Sequence, residues 1–185
     1  MLIAVAVPLG LTASLALSST AFARAVSHGA AKGSVACSDV TGQITFTPPL
    51  VPGKETSKTE TTGITATLGG CKVGSASVTP TSVSIKSIKS KVGNSCSTFE
   101  SSVSTTKVSE VVDWSGVSPT KINETSVSLG STGFTATGSA SGSYAGSAST
   151  TVVISPSNLS NLLSCIGMKG TGVSSLTISS GSANF

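Results

Sequence analysis

Residues 132–155, TGFTATGSASGSYAGSASTTVVIS, constrain the fold more than any other part of this chain. Nearly all are Ser, Thr, Gly or Ala, the composition of a flexible linker. They nevertheless alternate, with every second position from Phe134 to Ala140 taken by Phe, Ala or Gly, and they end in the β-branched run 150–154. Because a linker has no reason to keep a period of two, the pattern predicts a β-hairpin that turns near Ser141 to Tyr144.

Other segments show the same alternation. It recurs in GQITFTPPL, TTGITATLGGC, TTKVSEVVDWSG, TKINETSVSLG and TGVSSLTISSG. One segment has a helical period instead, because Leu159, Leu162, Leu163 and Ile166 fall at i, i+3, i+4 and i+7. The chain is therefore predicted to be all-β, an antiparallel β-sandwich or partly closed barrel with one short helix near the C-terminus.

The most basic stretch is SVSIKSIKSK, which contains Lys86, Lys89 and Lys91. In a regular strand Ile85 and Ile88 would lie on opposite faces, so a bulge near Lys86 or Ser87 is needed to bury both. Lysines on an edge strand discourage aggregation between sheets. The alternative is that these three lysines contact an anionic polymer or a membrane surface.

The N-terminus has the pattern of a secretory signal peptide. An apolar run leads to Ala21-Phe22-Ala23, an A-x-A cleavage site. Pro8 and Gly10 interrupt the run, which disfavours a membrane anchor. We expect a signal peptide at 1–23, a flexible lead-in at 24–36 and one disulfide-stapled β domain at 37–185, with no membrane span after cleavage.

Four cysteines agree with export: Cys37, Cys71, Cys96 and Cys165. In an exported chain an even number of cysteines predicts disulfides. Three connectivities are possible, and Cys37–Cys71 with Cys96–Cys165 is favoured because each bond then staples one consecutive part of the chain. Zinc is disfavoured, since no CxxC pair is present and the single histidine, His28, lies near the cleavage site.

Composition argues against several functions. Charged residues are 10% of the chain, against about 25% in ordinary domains, and the net charge of +4 comes from scattered lysines. We therefore expect no nucleic-acid partner. Glu110 and Asp113 are the only carboxylate pair beside an aromatic residue, but in a strand they point to opposite faces. We expect no catalytic residues, no metal and no cofactor.

Aromatic residues are too few for an obvious carbohydrate site. Trp114 shares a face with Val108 and Val112, which predicts a core position, and Tyr144 lies at the hairpin turn. The alternative is that Trp114 and Tyr144 contact a ligand, together with Lys86, Lys89 and Lys91.

Four segments together carry a resemblance: CSDVTGQITFTPPL, TTGITATLGGC, VVDWSG and ATGSASGSYAGSASTTVVISPSN. The chain is similar over most of residues 37–170 to uncharacterised secreted proteins of actinobacteria. The resemblance implies an exported all-β domain and supplies no catalytic residues. We therefore expect a secreted, non-enzymatic structural or interaction domain of the cell envelope or extracellular space. Its biochemical activity and partner are unknown from the sequence, and the candidate partners are a cell-wall polymer and another envelope protein. The alternative is a weak carbohydrate or cell-wall polymer binding module.

Overall fold

The computed structural model describes residues 29–53, 59–89 and 93–185. The predicted signal peptide, His28 and Lys91 lie outside these residues. In the described part the chain forms ten β-strands and two α-helices, so the all-β prediction is confirmed. No helix in these three ranges is long and apolar enough to cross a membrane.

The elements follow one another along the chain with short connections. The strands are β1 (Ala36–Leu50), β2 (Thr61–Val73), β3 (Ala76–Ser77), β4 (Pro80–Ile85), β5 (Ile88–Lys89), β6 (Val108–Trp114), β7 (Val117–Leu129), β8 (Gly133–Gly142), β9 (Gly146–Ile154) and β10 (Val173–Asn184). The helices are α1 (Cys96–Val103) and α2 (Pro156–Ile166). The predicted hairpin is β8 and β9, and the predicted C-terminal helix is α2.

All the strands belong to one antiparallel sheet that curls into a half-barrel. Their spatial order is β3-β2-β1-β10-β9-β8-β7-β6-β4, and β5 pairs with β2. At one edge β4 pairs with β6, whereas β5, two residues further along, pairs with β2 at the other edge. Segment 80–89 therefore connects the two edges, and the chain adopts the partly closed barrel rather than the sandwich.

Where the sequence predicts a bulge near Lys86 or Ser87, the structure has a break between two strands, because β4 pairs with β6 and β5 pairs with β2. The strand stops before Lys86 and Ser87 and resumes at Ile88. Ile85 and Ile88 both pack against the core, which a regular strand would not permit. Lys86 and Lys89 are exposed on this edge segment.

Strand β7 contains a bulge that sets which of its side chains face the interior. Ile122, Glu124 and Val127 are buried, although Glu124 and Val127 are an odd number of residues apart. The register against β8 shifts between Glu124 and Ser126. Such a bulge adds one residue to a strand and turns the following side chains to the other face. It allows both the carboxyl of Glu124 and the apolar side chain of Val127 to point inward.

Gly138 of β8 pairs with Glu124 at this bulge. A Cβ at position 138 would overlap the backbone oxygen of Asn123 and lie 2.6 Å from Cα of Glu124. We expect Gly138→Ala to lower the free energy of unfolding by roughly 1–3 kcal/mol, measured by urea denaturation. Gly146→Ala in β9 is the control, because nothing lies within 4 Å of its added Cβ. Equal destabilisation by the two variants would contradict the close approach.

Two groups of apolar side chains pack in the interior, toward opposite ends of β1. The helix cluster packs α1 and α2 against β1 residues from Ile44 to Leu50. The aromatic cluster contains Trp114, Tyr144 and Phe185 and packs against the other end of β1.

Both disulfides have the connectivity that the sequence favours. Cys37 and Cys71 face each other on β1 and β2, and Cys96–Cys165 joins α1 to α2. The described cysteines include no free thiol. Two structural disulfides are consistent with an extracellular or otherwise oxidising compartment.

Part of the predicted lead-in is integrated into the fold. Val35 is buried, and its backbone N–H and C=O both form hydrogen bonds with Phe185. The backbone N–H of Ala31 donates to Ser143 Oγ at 3.0 Å. The flexible segment predicted at 24–36 is therefore corrected at Ala31, which the turn between β8 and β9 holds, and at Val35 and Ala36, which the C-terminal strand holds.

Helix α1 is absent from the sequence-based predictions. Four of its eight residues are Ser or Thr, which have modest helix propensity. Ser95 caps it, since Ser95 Oγ accepts a hydrogen bond from the Thr98 backbone N–H at 3.1 Å. The helix forms because Cys96 and Val103 are buried in the helix cluster, a tertiary effect that its local sequence does not reveal.

Candidate functional site

Trp114 and Tyr144 belong to the core. Both are buried, and their rings pack edge to face with 5.1 Å between centroids. Trp114 Nε1 donates a hydrogen bond to Thr120 Oγ1 at 2.8 Å, and Thr120 Oγ1 donates to the Ser143 carbonyl at 2.6 Å. The core position predicted for Trp114 agrees with this packing. The alternative role as an exposed ligand contact is corrected for both rings, because packing and hydrogen bonding hold them inside.

Two of the three lysines predicted as possible ligand contacts lie in the described residues. Lys86 and Lys89 are exposed, and Lys91 lies outside the described residues. Lys89 lines the interior cavity described next, whereas Lys86 does not. The exposed Lys86 and Lys89 therefore do not form one joint surface with the buried Trp114 and Tyr144.

A cavity of about 770 Å³ lies inside the half-barrel and touches both the helix cluster and the aromatic cluster. Most of its lining is apolar and comes from inward-facing strand residues. These include Ile44, Ile64, Leu68, Val127, Ala136 and Val152. The cavity therefore offers an interior that favours an apolar molecule.

Small inward-facing side chains create this space. Ala66 of β2 and Ala136 of β8 line the cavity, and Thr150 of β9 pairs directly with Ala136. A leucine or isoleucine at any of these positions would fill part of the volume. The small residues Ala136 and Thr150 of the hairpin thus leave volume in the interior.

Two carboxyl groups face the cavity from adjacent strands. Glu110 of β6 and Glu124 of β7 both line it. The register pairs Glu110 with Ile122 and Val108 with Glu124, which makes the two acids diagonal neighbours on the inner face. Diagonal neighbours in a sheet are about 7–8 Å apart along the backbone, within reach of long side chains. The two carboxyl groups can therefore act on one bound group.

Burial makes both of these acids hold their protons more tightly than exposed carboxyls do. Burial first, and then the charge of Glu124, raises the pKa of Glu110 from 4.5 to about 7. Burial also raises the pKa of Glu124, and the neighbouring Thr150 hydroxyl partly offsets that rise. Thr150 Oγ1 and Glu124 Oε1 are nevertheless not at hydrogen-bond geometry with any group. Both atoms are buried without a partner.

A third acid in the cavity has its own partner. Glu60 is buried, and Thr62 Oγ1 donates a hydrogen bond to Glu60 Oε1 at 2.9 Å. Burial raises the pKa of Glu60 and the Thr62 hydrogen bond lowers it. Glu60 is therefore better satisfied than Glu124.

The cavity reaches the surface beside α1. Its lining includes four exposed residues: Lys89, Ser101, Thr105 and Lys107. They come from β5, from the C-terminal half of α1 and from the turn after it. This exposed group, the rim of the cavity, gives a ligand a route from solvent to the interior.

The pair Glu110 and Asp113 is separated as the strand pattern predicts. Glu110 lines the cavity, whereas Asp113 Oδ2 accepts a hydrogen bond from Ser82 Oγ at 2.5 Å among exposed groups. Within the described ranges, no three His, Cys, Asp or Glu side chains are grouped so that they could hold a metal ion. The inward-facing polar groups thus provide hydrogen-bond acceptors and negative charge inside an apolar space.

The sequence-based predictions place Glu110 and Asp113 on opposite faces of a strand without giving Glu110 a role, and they do not include Glu124. A signal for Glu124 does exist, because Ile122 and Glu124 alternate with exposed residues in TKINETSVSLG. The cavity itself has no local signal, since it depends on which small residues from distant strands face one another.

Comparison of the chain with protein-family models, with curated proteins and with solved structures finds no match in any of the three. The cavity and the carboxyl groups inside it are therefore the features from which a function is inferred.

Proposed function

We propose that this protein is exported and binds a small apolar molecule inside its half-barrel. The observation that carries the proposal is the largely apolar cavity of about 770 Å³ that opens at a rim beside α1. Ligand sites in proteins typically have volumes of about 300–1,000 Å³ and mostly apolar walls with a few polar groups.

A cavity of this size differs from ordinary packing. Protein interiors are close-packed, and few voids in a domain exceed the size of a water molecule. Ala66 and Ala136 keep the space open where larger apolar residues would stabilise the fold by filling it. The retained volume is what a binding protein needs.

Export is part of the proposal. It is supported by the predicted signal peptide at 1–23 and by the two disulfides. The protein would act without catalysis, in the cell envelope or outside the cell.

The alternative of a carbohydrate or cell-wall polymer binding module has less support. Such modules present exposed aromatic rings, whereas Trp114 and Tyr144 are buried. Among the described residues the exposed large apolar side chains are Leu163 and Met168, and neither is aromatic. We therefore favour the interior cavity over the outer surface as the binding site.

Titration of the oxidised protein with N-phenyl-1-naphthylamine, a neutral apolar dye, tests the proposal. We expect saturable fluorescence enhancement with one dye per chain. Ala66→Phe should weaken dye binding about tenfold or more, because the added ring occupies the cavity.

The matched control is Thr67→Phe, which adds a ring at the next position of β2, where the side chain is exposed. It should leave the affinity for the dye unchanged. An absence of saturable binding, or equal weakening by both variants while both remain folded, would refute binding in the cavity.

A further inference from the structure

The polar end of the cavity contains atoms that the chain itself leaves unsatisfied. Glu124 is only 5% exposed, and its Oε1 has no hydrogen-bond partner. Thr150 Oγ1, which also faces the cavity, is buried without a partner. Thr150 lies close enough to Glu124 to lower its pKa, yet neither atom has a partner at hydrogen-bond geometry, whereas buried polar atoms in folded proteins are nearly always paired.

The bulge in β7 places the Glu124 carboxyl inside the cavity. It turns Glu124 inward while keeping Val127 inward as well, and Gly138 permits the close backbone approach beside it. Bulges that direct a side chain often lie beside functional sites. Glu110 approaches the same region from β6, so two acids and one hydroxyl lie close together in a largely apolar cavity.

The charge at this wall selects among ligands. The lysines that line the cavity, Lys89 and Lys107, are both exposed at the rim. When Glu110 and Glu124 are ionised, a negative group beside them would be repelled, and a neutral hydroxyl could donate one hydrogen bond without offsetting the charge. A protonated amine donates up to three hydrogen bonds and supplies the opposite charge.

We propose that the cavity binds an apolar molecule that carries a protonated amine, with the amine held by Glu124, Glu110 and Thr150 and the apolar part lying against the surrounding strands. This inference rests on the proposed function, since it names the class of molecule that the same cavity takes. The ammonium group would donate to Glu124 Oε1 and Thr150 Oγ1, the two atoms that lack partners.

A matched ligand series tests the amine directly. Dodecylamine, 1-dodecanol and dodecanoate have the same carbon chain and differ in the charge of the polar end. Each would compete with N-phenyl-1-naphthylamine for the oxidised protein at low salt and about pH 8, above the pKa of Glu110. We expect dodecylamine to bind about tenfold or more tightly than 1-dodecanol, and dodecanoate to bind least.

Substitution of Glu124 and Glu110 tests whether these two acids cause the preference for dodecylamine. Glu124→Gln should reduce the preference for dodecylamine over 1-dodecanol, measured as the ratio of the two affinities for that variant, to less than about threefold. Glu110→Gln should reduce it partly and serves as a second variant if Glu124→Gln does not fold. Asp113→Asn is the control, because Asp113 lies among exposed groups, and it should keep the full preference.

The outcomes separate the two proposals. If 1-dodecanol or dodecanoate binds the unmodified protein as tightly as dodecylamine does, the amine inference is wrong while binding in the cavity stands. If the dye and all three ligands fail to bind, the proposed function itself is wrong. A preference that survives in both glutamine variants would show that other groups recognise the amine.

Discussion

Replacing Cys96 and Cys165 together with alanine is expected to lower the free energy of unfolding by about 4 kcal/mol. The two residues are 69 apart in sequence, so their disulfide restricts a long loop of the unfolded chain. Both are buried in the helix cluster, and the bond holds α1 against α2. Denaturation in urea, with and without the substitutions, measures the change.

The second disulfide provides a matched control. Replacing Cys37 and Cys71 with alanine removes a bond between residues 34 apart, which should cost slightly less stability. Dye affinity distinguishes the two variants, because Phe99 and Val103 of α1 line the cavity. We expect weaker dye binding only when Cys96–Cys165 is lost. Unchanged binding in that variant would mean that the bond does not shape the cavity.

Stability is expected to fall as pH rises through neutrality, because Glu110 has a raised pKa. Below about pH 4.5 its carboxyl is protonated in both the folded and the unfolded chain. Between 4.5 and about 7 the folded chain keeps the proton and the unfolded chain loses it, so the free energy of unfolding decreases as pH increases. The full loss, roughly 3 kcal/mol, is reached above the folded-state pKa.

Measurement of unfolding at several pH values, with Glu110→Gln as the comparison, isolates this effect. The variant cannot ionise at this position, so its stability should exceed that of the unmodified protein at about pH 8 and converge with it near pH 4.5. The charged or titratable groups that share the cavity with Glu110 are Glu124, Glu60, Lys89 and Lys107. Glu124 and Glu60 also have raised pKa values and shift stability in the same direction in both proteins. Parallel pH profiles for the two proteins would contradict the prediction.

The architecture was largely predictable from local patterns. The alternation in the hairpin at 132–155 and the helical spacing of apolar residues in α2 each depend on neighbours within one element. Both patterns can therefore be recognised without tertiary information. The two disulfides could be predicted from the order of the cysteines, since each bond joins cysteines of one consecutive part of the chain. Helix α1 was not predictable, because burial against other elements, not its own propensity, stabilises it.

The candidate site was not predictable in the same way. Trp114 and Tyr144 attract attention as rare aromatic residues, yet they form a core cluster with Phe185. Glu124 looks like an ordinary acid in a polar strand, and only the bulge and the curl of the sheet bring it beside Glu110 and Thr150.

Period-two alternation and the cysteine pattern established an all-β, disulfide-bonded chain, because strand geometry and cross-linking depend on residue type and spacing. The interior cavity was decided by the tertiary structure, because a volume exists only when inward faces from several strands are closed around it. The hairpin TGFTATGSASGSYAGSASTTVVIS shows both effects. Its alternation defines two strands, and its small inward residues acquire a role only where the half-barrel encloses them.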